Sequence, residues 1–158
     1  MATPAEIRNR LTRYPGGDWL FSRLVTWRAP YFASISPRFT ELRPGYCAVS
    51  IRNRRAVHNH IGTVNAIAMC CMAELAAGVM TDSTIDRSLR WIPRGMTVRY
   101  LARGDTDLRA EAGLENAPAP GFKGDIMVPV IVRKEGGDVV MEADITMYIS
   151  PRGQGSSD

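Results

Sequence analysis

Hydrophobic residues recur at helical spacing through the first thirty residues of the chain. Thr3, with Glu6 three residues later, has the pattern of a capping box that begins a helix. The Pro-Gly-Gly sequence at 15–17 breaks this helix, and Asp18 is a candidate cap for a second helix with an apolar stripe. The pattern predicts an N-terminal helical extension over residues 1–30.

The pattern changes to that of β-strands after residue 30. Segments 32–42 and 46–53 are rich in aromatic and β-branched residues and flank an Arg-Pro-Gly turn, which predicts a hairpin. Later in the chain, four segments alternate between apolar and polar residues, and a turn at 135–138 joins the last two. Pro129 interrupts the third of these segments, which favours an edge strand or a bulge there.

A long apolar stretch, 64–80, separates the hairpin from these four strands. It is shorter than the ~20 apolar residues of a membrane helix, and Asn65 and Glu74 interrupt it, so we expect a buried helix. A helix that is apolar on nearly all sides must be enclosed, and a six-stranded antiparallel sheet wrapped around it would do so. We therefore predict an α+β domain over residues 31–150, followed by a disordered Gly- and Ser-rich tail at 151–158.

Composition narrows the setting of this domain. A chain of 158 residues, 45% of them hydrophobic, can form one domain with its own core. The three cysteines suggest no disulfide framework and the N-terminus has no signal-peptide-like apolar core, so we expect a cytoplasmic protein. The net charge of +4 fits an arginine-rich solvated surface, and the chain has no zinc-finger spacing, RNP-like motif or long basic helix. We expect neither nucleic acid nor a membrane as a partner.

Glu74 is the only formally charged residue between Arg55 and Asp82. An ionised carboxylate in an apolar site costs several kcal/mol unless it gains a hydrogen-bond partner or a proton. Either outcome suits a general base. A structural carboxylate that reaches solvent or accepts a backbone N–H fits the pattern equally well.

The start of the helix suggests what Glu74 would work with. Asn65 precedes Glu74 by nine residues, which at ~100° per residue puts the two on opposite sides of one helix. They can cooperate only if two helices run past each other, as a two-fold homodimer allows. Gly62 and Thr63 precede the helix and favour a capped start. The N–H groups of Asn65 and Ala66 would then face a bound oxyanion, although an ordinary capped helix needs no ligand.

Residues 59–68, NHIGTVNAIA, and the Met-Ala-Glu at 72–74 resemble a family signature. The signature is that of hotdog-fold acyl-CoA thioesterases of the phenylacetate-pathway and 4-hydroxybenzoyl-CoA type, roughly N-x-x-G-T-x-H-G-G followed by L-A-D/E. The N-terminal helical extension also resembles a less characterised hotdog branch known only as a domain of unknown function. The resemblance implies a hotdog fold and the hydrolysis of an acyl-CoA thioester.

The resemblance also implies a role for each matching residue. Glu74 matches the catalytic Asp or Glu that activates water or attacks the thioester. Asn65 stands where the family has His, although its amide can still donate a hydrogen bond, and Ala66 stands where the family has the Gly whose N–H polarises the carbonyl. Asn59 would hold substrate or water, and Gly78 replaces a hydroxyl residue of some relatives. The expected substrate-binding residues are Asn59, Gly62, Thr63, Ala66, Gly78, Arg90 and Arg94.

Arginines are the candidates for binding the phosphates of coenzyme A. Arg87, Arg90 and Arg94 lie between the central helix and the next strand, where a loop would meet the diphosphate at the dimer edge. A second option is the group Arg52, Arg54 and Arg55. Each arginine taken singly also fits a solvated surface.

Two other kinds of site are disfavoured. His58 and His60 would need further metal ligands at suitable spacing. Cys70 and Cys71 point about 100° apart on a helix, which does not suit a closed metal site, and neither has an activating base at an obvious interval. We therefore expect both cysteines in the core, and neither a metal nor a cofactor.

The leading hypothesis is a cytoplasmic homodimer or homotetramer that hydrolyses an acyl-CoA substrate, with Glu74 as general base at a subunit interface. The alternative is a non-catalytic hotdog module that binds acyl-CoA or a lipid-like ligand, which the presence of Asn65 in place of His favours. A hotdog dehydratase is a third hypothesis, but the chain has no Asp/His hydratase motif.

Overall fold

The computed structural model describes residues 2–153. The helices are α1 (Pro4–Leu11), α2 (Gly17–Arg28) and α3 (Ala66–Thr84), with short 3-10 helices at Pro30–Ile35 and Arg55–Val57. The strands are β1 (Arg38–Arg43), β2 (Tyr46–Ile51), β3 (Leu89–Tyr100), β4 (Leu108–Gly113), β5 (Gly124–Lys134) and β6 (Val139–Pro151). Of the disordered tail predicted at 151–158, residues 154–158 lie outside the described residues, whereas the backbone N–H of Arg152 donates to the Ser88 carbonyl at 2.7 Å.

The N-terminal extension begins as the sequence predicts. The Thr3 hydroxyl accepts from the Glu6 N–H, and the Glu6 carboxylate accepts from the Thr3 N–H at 2.8 Å, which completes the capping box. The predicted cap of α2 was wrong, because Gly16 occupies that position with φ +80° and Asp18 lies in the first turn. There its carboxylate faces the positive end of the helix dipole and pairs with Arg8.

The predicted first strand was too long at its start. Residues 30–35 form a 3-10 helix instead, beginning with Pro30, whose fixed φ suits a first helical position. The half-buried Phe32 of this segment packs against the hydrophobic core. The helical region therefore continues to Ile35, and β1 begins at Arg38.

Six strands form one antiparallel sheet in the order β1-β2-β4-β5-β6-β3. The predicted α+β fold, with this sheet wrapped around α3, is confirmed. Pro129 lies in β5, an inner strand of the sheet, and its pairing with β6 has no bulge at that residue. On its β4 side, however, Pro129 has no partner among the described strands, so the predicted edge position holds locally. The last β4–β5 pair is Ala112–Val130, so no partner on the β4 side needs the N–H that Pro129 lacks.

The central helix α3 is the core of the domain. It is long and apolar enough to cross a membrane by length and composition, but 61% of that stretch is buried within the fold, as in the core helix of a globular domain. It begins two residues later than predicted and extends past Met80 to Thr84. The buried hydroxyls of Thr81 and Ser83 in its last turns are satisfied because they donate to carbonyls one turn earlier.

One stripe of α3 is left incompletely covered. Ile67, Cys70 and Glu74 lie three and four residues apart, hence on the same face of the helix, and none of them is fully buried. The N-terminal extension covers the continuation of this stripe toward the end of α3. Glu74 therefore lies where the enclosed part of the helix meets its exposed part.

Candidate active site

Glu74 lines a cavity of about 790 Å³ between α3 and the N-terminal extension. The lining includes the apolar residues Ile7, Val25 and Phe32 of the extension, together with five further charged residues: Arg28, Asp82, Asp86, Arg87 and Arg152. Glu74 is half-buried, and its carboxylate has no hydrogen-bond or ion-pair partner among residues 2–153. A carboxylate without a partner on a cavity wall is in position to act on a molecule bound in that cavity.

Gly78 makes room for a large side chain in the same cavity. A Cβ atom at this position would lie 2.8 Å from Cη2 of Trp91. The indole is anchored because its Nε1 donates to Oδ1 of Asp82 at 2.6 Å. The place assigned to substrate contact at Gly78 is thus occupied by Trp91, which the sequence did not single out. A glycine within a core helix costs ~1 kcal/mol relative to alanine. Its presence in the predicted helix was therefore the signal in the sequence that another side chain lies close to the backbone at this position.

The loop before α3 is shaped by its own side chains. Oδ1 of Asn59 accepts from the N–H groups of Ile61 and Thr63, both at 3.1 Å, and Nδ2 of Asn59 donates to the Thr63 hydroxyl at 2.9 Å. Gly62 has φ +80°, in the left-handed region that favours glycine. Asn59, Gly62 and Thr63 thus hold the loop in one conformation, and the side-chain groups of Asn59 that would bind substrate are already engaged.

Asn65, and not Thr63, is the N-cap of α3. Its Oδ1 accepts from the Ile67 N–H at 2.8 Å. Because this helix N–H needs an acceptor, the NH2 group of Asn65 faces away and is left to donate elsewhere. The backbone N–H of Asn65 donates to the Val57 carbonyl at 2.8 Å, so the expectation that it faces an oxyanion was wrong.

The N–H of Ala66 is the remaining candidate for an oxyanion donor. It has no acceptor within the described part of the chain, and it lies at the first position of a 19-residue helix. The positive end of the helix dipole therefore reinforces it. Asn65 and Ala66 do not line the Glu74 cavity, and nine helical residues separate Asn65 from Glu74 by ~13 Å along the axis. One chain alone does not bring the two parts of the site together.

Arg90 and Arg94, the two arginines expected among the substrate-binding residues, lie outside the Glu74 cavity. Nη1 of Arg94 lies 3.2 Å from the Asp125 carboxylate, and its guanidinium lies 4.5 Å from the centre of the Tyr148 ring. Nε of Arg90 donates to the Ser150 hydroxyl at 3.2 Å. Neither residue lines the Glu74 cavity, although Arg87 does, paired with Glu6 at 3.1 Å.

The cysteines are poor candidates for nucleophiles. Burial raises the pKa of the Cys47 thiol to about 12. Burial also raises the pKa of Cys71, a shift that the Tyr31 hydroxyl opposes and the nearby Glu74 carboxylate reinforces. Both thiols therefore stay protonated at neutral pH. Nε2 of His58 lies 2.6 Å from Oδ1 of Asn53, and residues 2–153 contain no cluster of three potential metal ligands.

The model of a family described as Domain of unknown function (DUF4442) matches residues 17–149. Among solved structures, that of a genomics target is 46% identical and covers 94% of this chain and 99% of its own, with a TM-score of 0.82. A protein of unknown function and probable thioesterase from Pseudomonas aeruginosa is 24% identical, covers 83% of this chain and 93% of its own, and has a TM-score of 0.73. A thioesterase from Haemophilus influenzae is 8% identical, with 80% and 87% covered and a TM-score of 0.70. No curated protein matches the chain. The chain therefore belongs to the DUF4442 family and has the hotdog fold of the thioesterase structures it resembles.

Proposed function

We propose that this protein hydrolyses an acyl-CoA thioester with Glu74 as general base. The observation that carries the proposal is the half-buried Glu74 carboxylate, which lines a cavity of about 790 Å³ without a partner among residues 2–153. The family signature at 59–74 and the thioesterase hotdog fold support the reaction class. The cytoplasm is the proposed setting, since the three cysteines are all free, as is usual in a reducing compartment.

The proposed site is shared between two copies of the chain. Each copy would supply Glu74 to one site and its helix start to the other, in a two-fold homodimer that can pair further into a tetramer. Exposed apolar side chains near the helix start support such an interface: Ile61, Ile67, Tyr100 and Leu101 are each at least 50% exposed. Tyr100 is the last residue of the edge strand β3 and Leu101 follows it, and the outer side of β3 has no neighbouring strand in the sheet.

The reaction follows from these groups. Glu74 takes a proton from a water molecule as its oxygen attacks the thioester carbonyl carbon. The carbonyl oxygen becomes an oxyanion, which accepts from the Ala66 N–H and from the NH2 group of Asn65 at the partner's helix start. When the tetrahedral intermediate collapses, the C–S bond breaks and the proton held by Glu74 passes to the leaving sulfur. The products are the free acid and coenzyme A, and Glu74 is again ionised.

The acyl group would occupy the cavity beneath the N-terminal extension. Apolar residues of α3 and of the extension face each other there, including Val25, Leu75 and Val79. A cavity of about 790 Å³ is within the range that holds an extended or aromatic acyl group. The Trp91 indole forms one side of this cavity and would therefore set the width of acyl group that fits.

A non-catalytic acyl-CoA-binding module is the second candidate. The contacts of Asn65 favour it, because Oδ1 caps the helix and the backbone N–H is bound to the Val57 carbonyl. Only one amide N–H and one side-chain NH2 group are then left for an oxyanion. This candidate predicts binding of acyl-CoA without release of free thiol.

A panel of aliphatic and aromatic acyl-CoA esters, assayed by thiol release, tests the proposal. Glu74→Gln keeps the size of the side chain but removes the base, so kcat is expected to fall by about 10²- to 10⁴-fold. Glu115→Gln, at an exposed carboxylate outside the cavity, is the matched control and should retain activity. Turnover of no ester, or a Glu74→Gln variant as active as the native chain, refutes the proposal. Acyl-CoA binding without turnover would favour the non-catalytic module.

A further inference from the structure

Four arginines converge on a second cavity, of about 760 Å³, beside α2 and the strands β1 and β2. Asp107 is the one acidic side chain among the described residues that line this cavity. The four arginines come from three parts of the chain: α2, β1 and the segment after β2. They are Arg23, Arg38, Arg52 and Arg54.

The arginines of this cavity have no carboxylate partners within residues 2–153, whereas several arginines on the sheet do. On the sheet, Arg99 pairs with Glu142 at 2.9 Å and Arg109 pairs with Glu111 at 3.1 Å. None of the four cavity arginines has an acidic partner within 4.0 Å in the described part of the chain. Unneutralised guanidinium groups around one cavity make a positive potential that attracts an anion, and their planar geometry suits phosphate oxygens.

Two of the charged groups at this cavity are held in place by hydrogen bonds within the chain. The guanidinium of Arg54 donates to the Ser34 carbonyl at 3.0 Å and to the Ser36 hydroxyl at 2.9 Å, neither of which neutralises its charge. The Asp107 carboxylate accepts from the Asn53 N–H at 2.7 Å, so its orientation is also fixed. Arg54 is thus positioned before any ligand arrives.

An aromatic ring completes the cavity. Trp19 of α2 lines it, yet its side chain is 62% exposed. An indole face open to solvent is a platform on which a nucleic base can stack. Phosphate-binding arginines together with a stacking surface suit a nucleotide better than a simple anion.

The cavity is connected to the helix start by a short piece of chain. Arg54 immediately precedes the 3-10 helix Arg55–Val57, and the Val57 carbonyl accepts from the Asn65 N–H at 2.8 Å. Three residues span at most about 10 Å. A ligand with its phosphates at Arg54 could therefore extend a flexible arm to the Ala66 N–H.

We propose that this arginine cavity binds the nucleotide end of coenzyme A. The phosphates would contact Arg38, Arg52 and Arg54, the adenine would stack on Trp19, and the pantetheine arm would follow the chain toward the helix start. The assignment of coenzyme A, and not another nucleotide, rests on the proposed thioester hydrolysis. It takes up Arg52 and Arg54 from the second group of candidate arginines in the sequence, in place of Arg90 and Arg94, whereas Arg55 does not line the cavity.

Calorimetry on the full chain with coenzyme A, and with pantetheine, which lacks the nucleotide, tests this site. The double variant Arg38→Gln/Arg52→Gln is expected to weaken coenzyme A binding by about tenfold or more, and Trp19→Ala by about tenfold. Pantetheine binding should not change in either. The control Arg10→Gln/Arg13→Gln removes the same two charges from exposed positions outside the cavity and should bind within twofold of the native chain.

Several results would overturn the assignment. One is that coenzyme A does not bind, or binds no tighter than pantetheine. Another is that the control variant loses as much affinity for coenzyme A as the cavity variant does. Turnover whose KM for acyl-CoA is unchanged in the cavity variants would refute the nucleotide site and leave hydrolysis standing. Coenzyme A binding that is lost in the cavity variants, in a protein without turnover, would support the site and refute hydrolysis.

Discussion

Replacing Ala66 with proline tests the proposed oxyanion donor, because it removes the backbone N–H of Ala66 and should leave the fold intact. Ala66 is the first residue of α3, where a helix tolerates proline because the N–H at that position makes no intrahelical bond. The preceding residue, Asn65, has φ −62° and ψ 141°, which is the extended conformation that a residue before proline adopts. The cap from Asn65 to the Ile67 N–H does not involve the atom that is lost.

The expected effect of Ala66→Pro on activity is large and that on stability is small. The variant removes one of two proposed donors to the oxyanion, so kcat should fall by about 10²- to 10³-fold, equivalent to about 2.7–4 kcal/mol of transition-state stabilisation. A proline that fits the native backbone restricts the unfolded chain, so the melting temperature should rise by about 1–4 °C.

Thiol release from the best acyl-CoA ester and thermal unfolding measure the two effects on the same preparation. Ala66→Gly is the matched control, since it keeps the N–H and should stay within a few-fold of native kcat. An Ala66→Pro variant that is folded and retains more than about a third of native kcat would refute the role of this amide.

Three further predictions concern the packing and titration of the fold. In urea unfolding, Gly78→Ala should destabilise the native chain by about 1 kcal/mol, because overpacking against Trp91 outweighs the gain in helix propensity. In a Trp91→Ala chain, where the indole is gone, the same substitution should stabilise the fold by about 0.5–1 kcal/mol. Cys47, whose pKa burial raises to about 12, should resist iodoacetamide at pH 8 in the folded protein, as read by mass spectrometry. Burial raises the pKa of Glu111, but hydrogen bonds, led by the one from Arg109, outweigh this effect and lower the pKa below 4.5. The stability that Glu111→Gln removes should therefore shrink as the pH falls below 4.5.

Each of these predictions has a contrary result. If Gly78→Ala stabilises both backgrounds equally, the indole does not lie against the helix. If Cys47 is alkylated in the folded protein as fast as in urea, the thiol is not buried. If the stability lost in Glu111→Gln stays constant or grows on acidification, Glu111 contributes no stability through its lowered pKa.

The order of helices and strands was predictable because apolar residues recur along each element with the spacing typical of a helix or of a strand. Four alternating segments and one apolar helix leave few ways to bury their apolar faces, and the sheet wrapped around α3 is one of them. The ends of the elements were harder to predict. That Gly16 and not Asp18 is the N-cap of α2, and that Pro30–Ile35 forms a 3-10 helix, depends on which of several short-range hydrogen bonds forms.

The candidate site was only partly predictable, for a similar reason. Glu74 stood out because a charge in an apolar run is costly wherever the chain folds. The use of the Asn65 N–H by the Val57 carbonyl could not be foreseen, because it depends on how a 3-10 helix docks beside the helix start. Of the arginine cavity, Arg52 and Arg54 were candidates from the sequence, but Arg23 of α2 and Arg38 of β1 join them only in the tertiary fold.

The activity of a mixed dimer tests most directly the claim that Glu74 of one subunit works with the helix start of the other. The Glu74→Gln and Ala66→Pro chains, carrying different affinity tags, are co-expressed, and the doubly tagged dimer is purified and assayed by thiol release. One of its two sites would then combine an intact Glu74 with an intact Ala66, so kcat per dimer should recover to about half of the native value. A mixed dimer that is as inactive as its two parents would contradict a site shared between subunits.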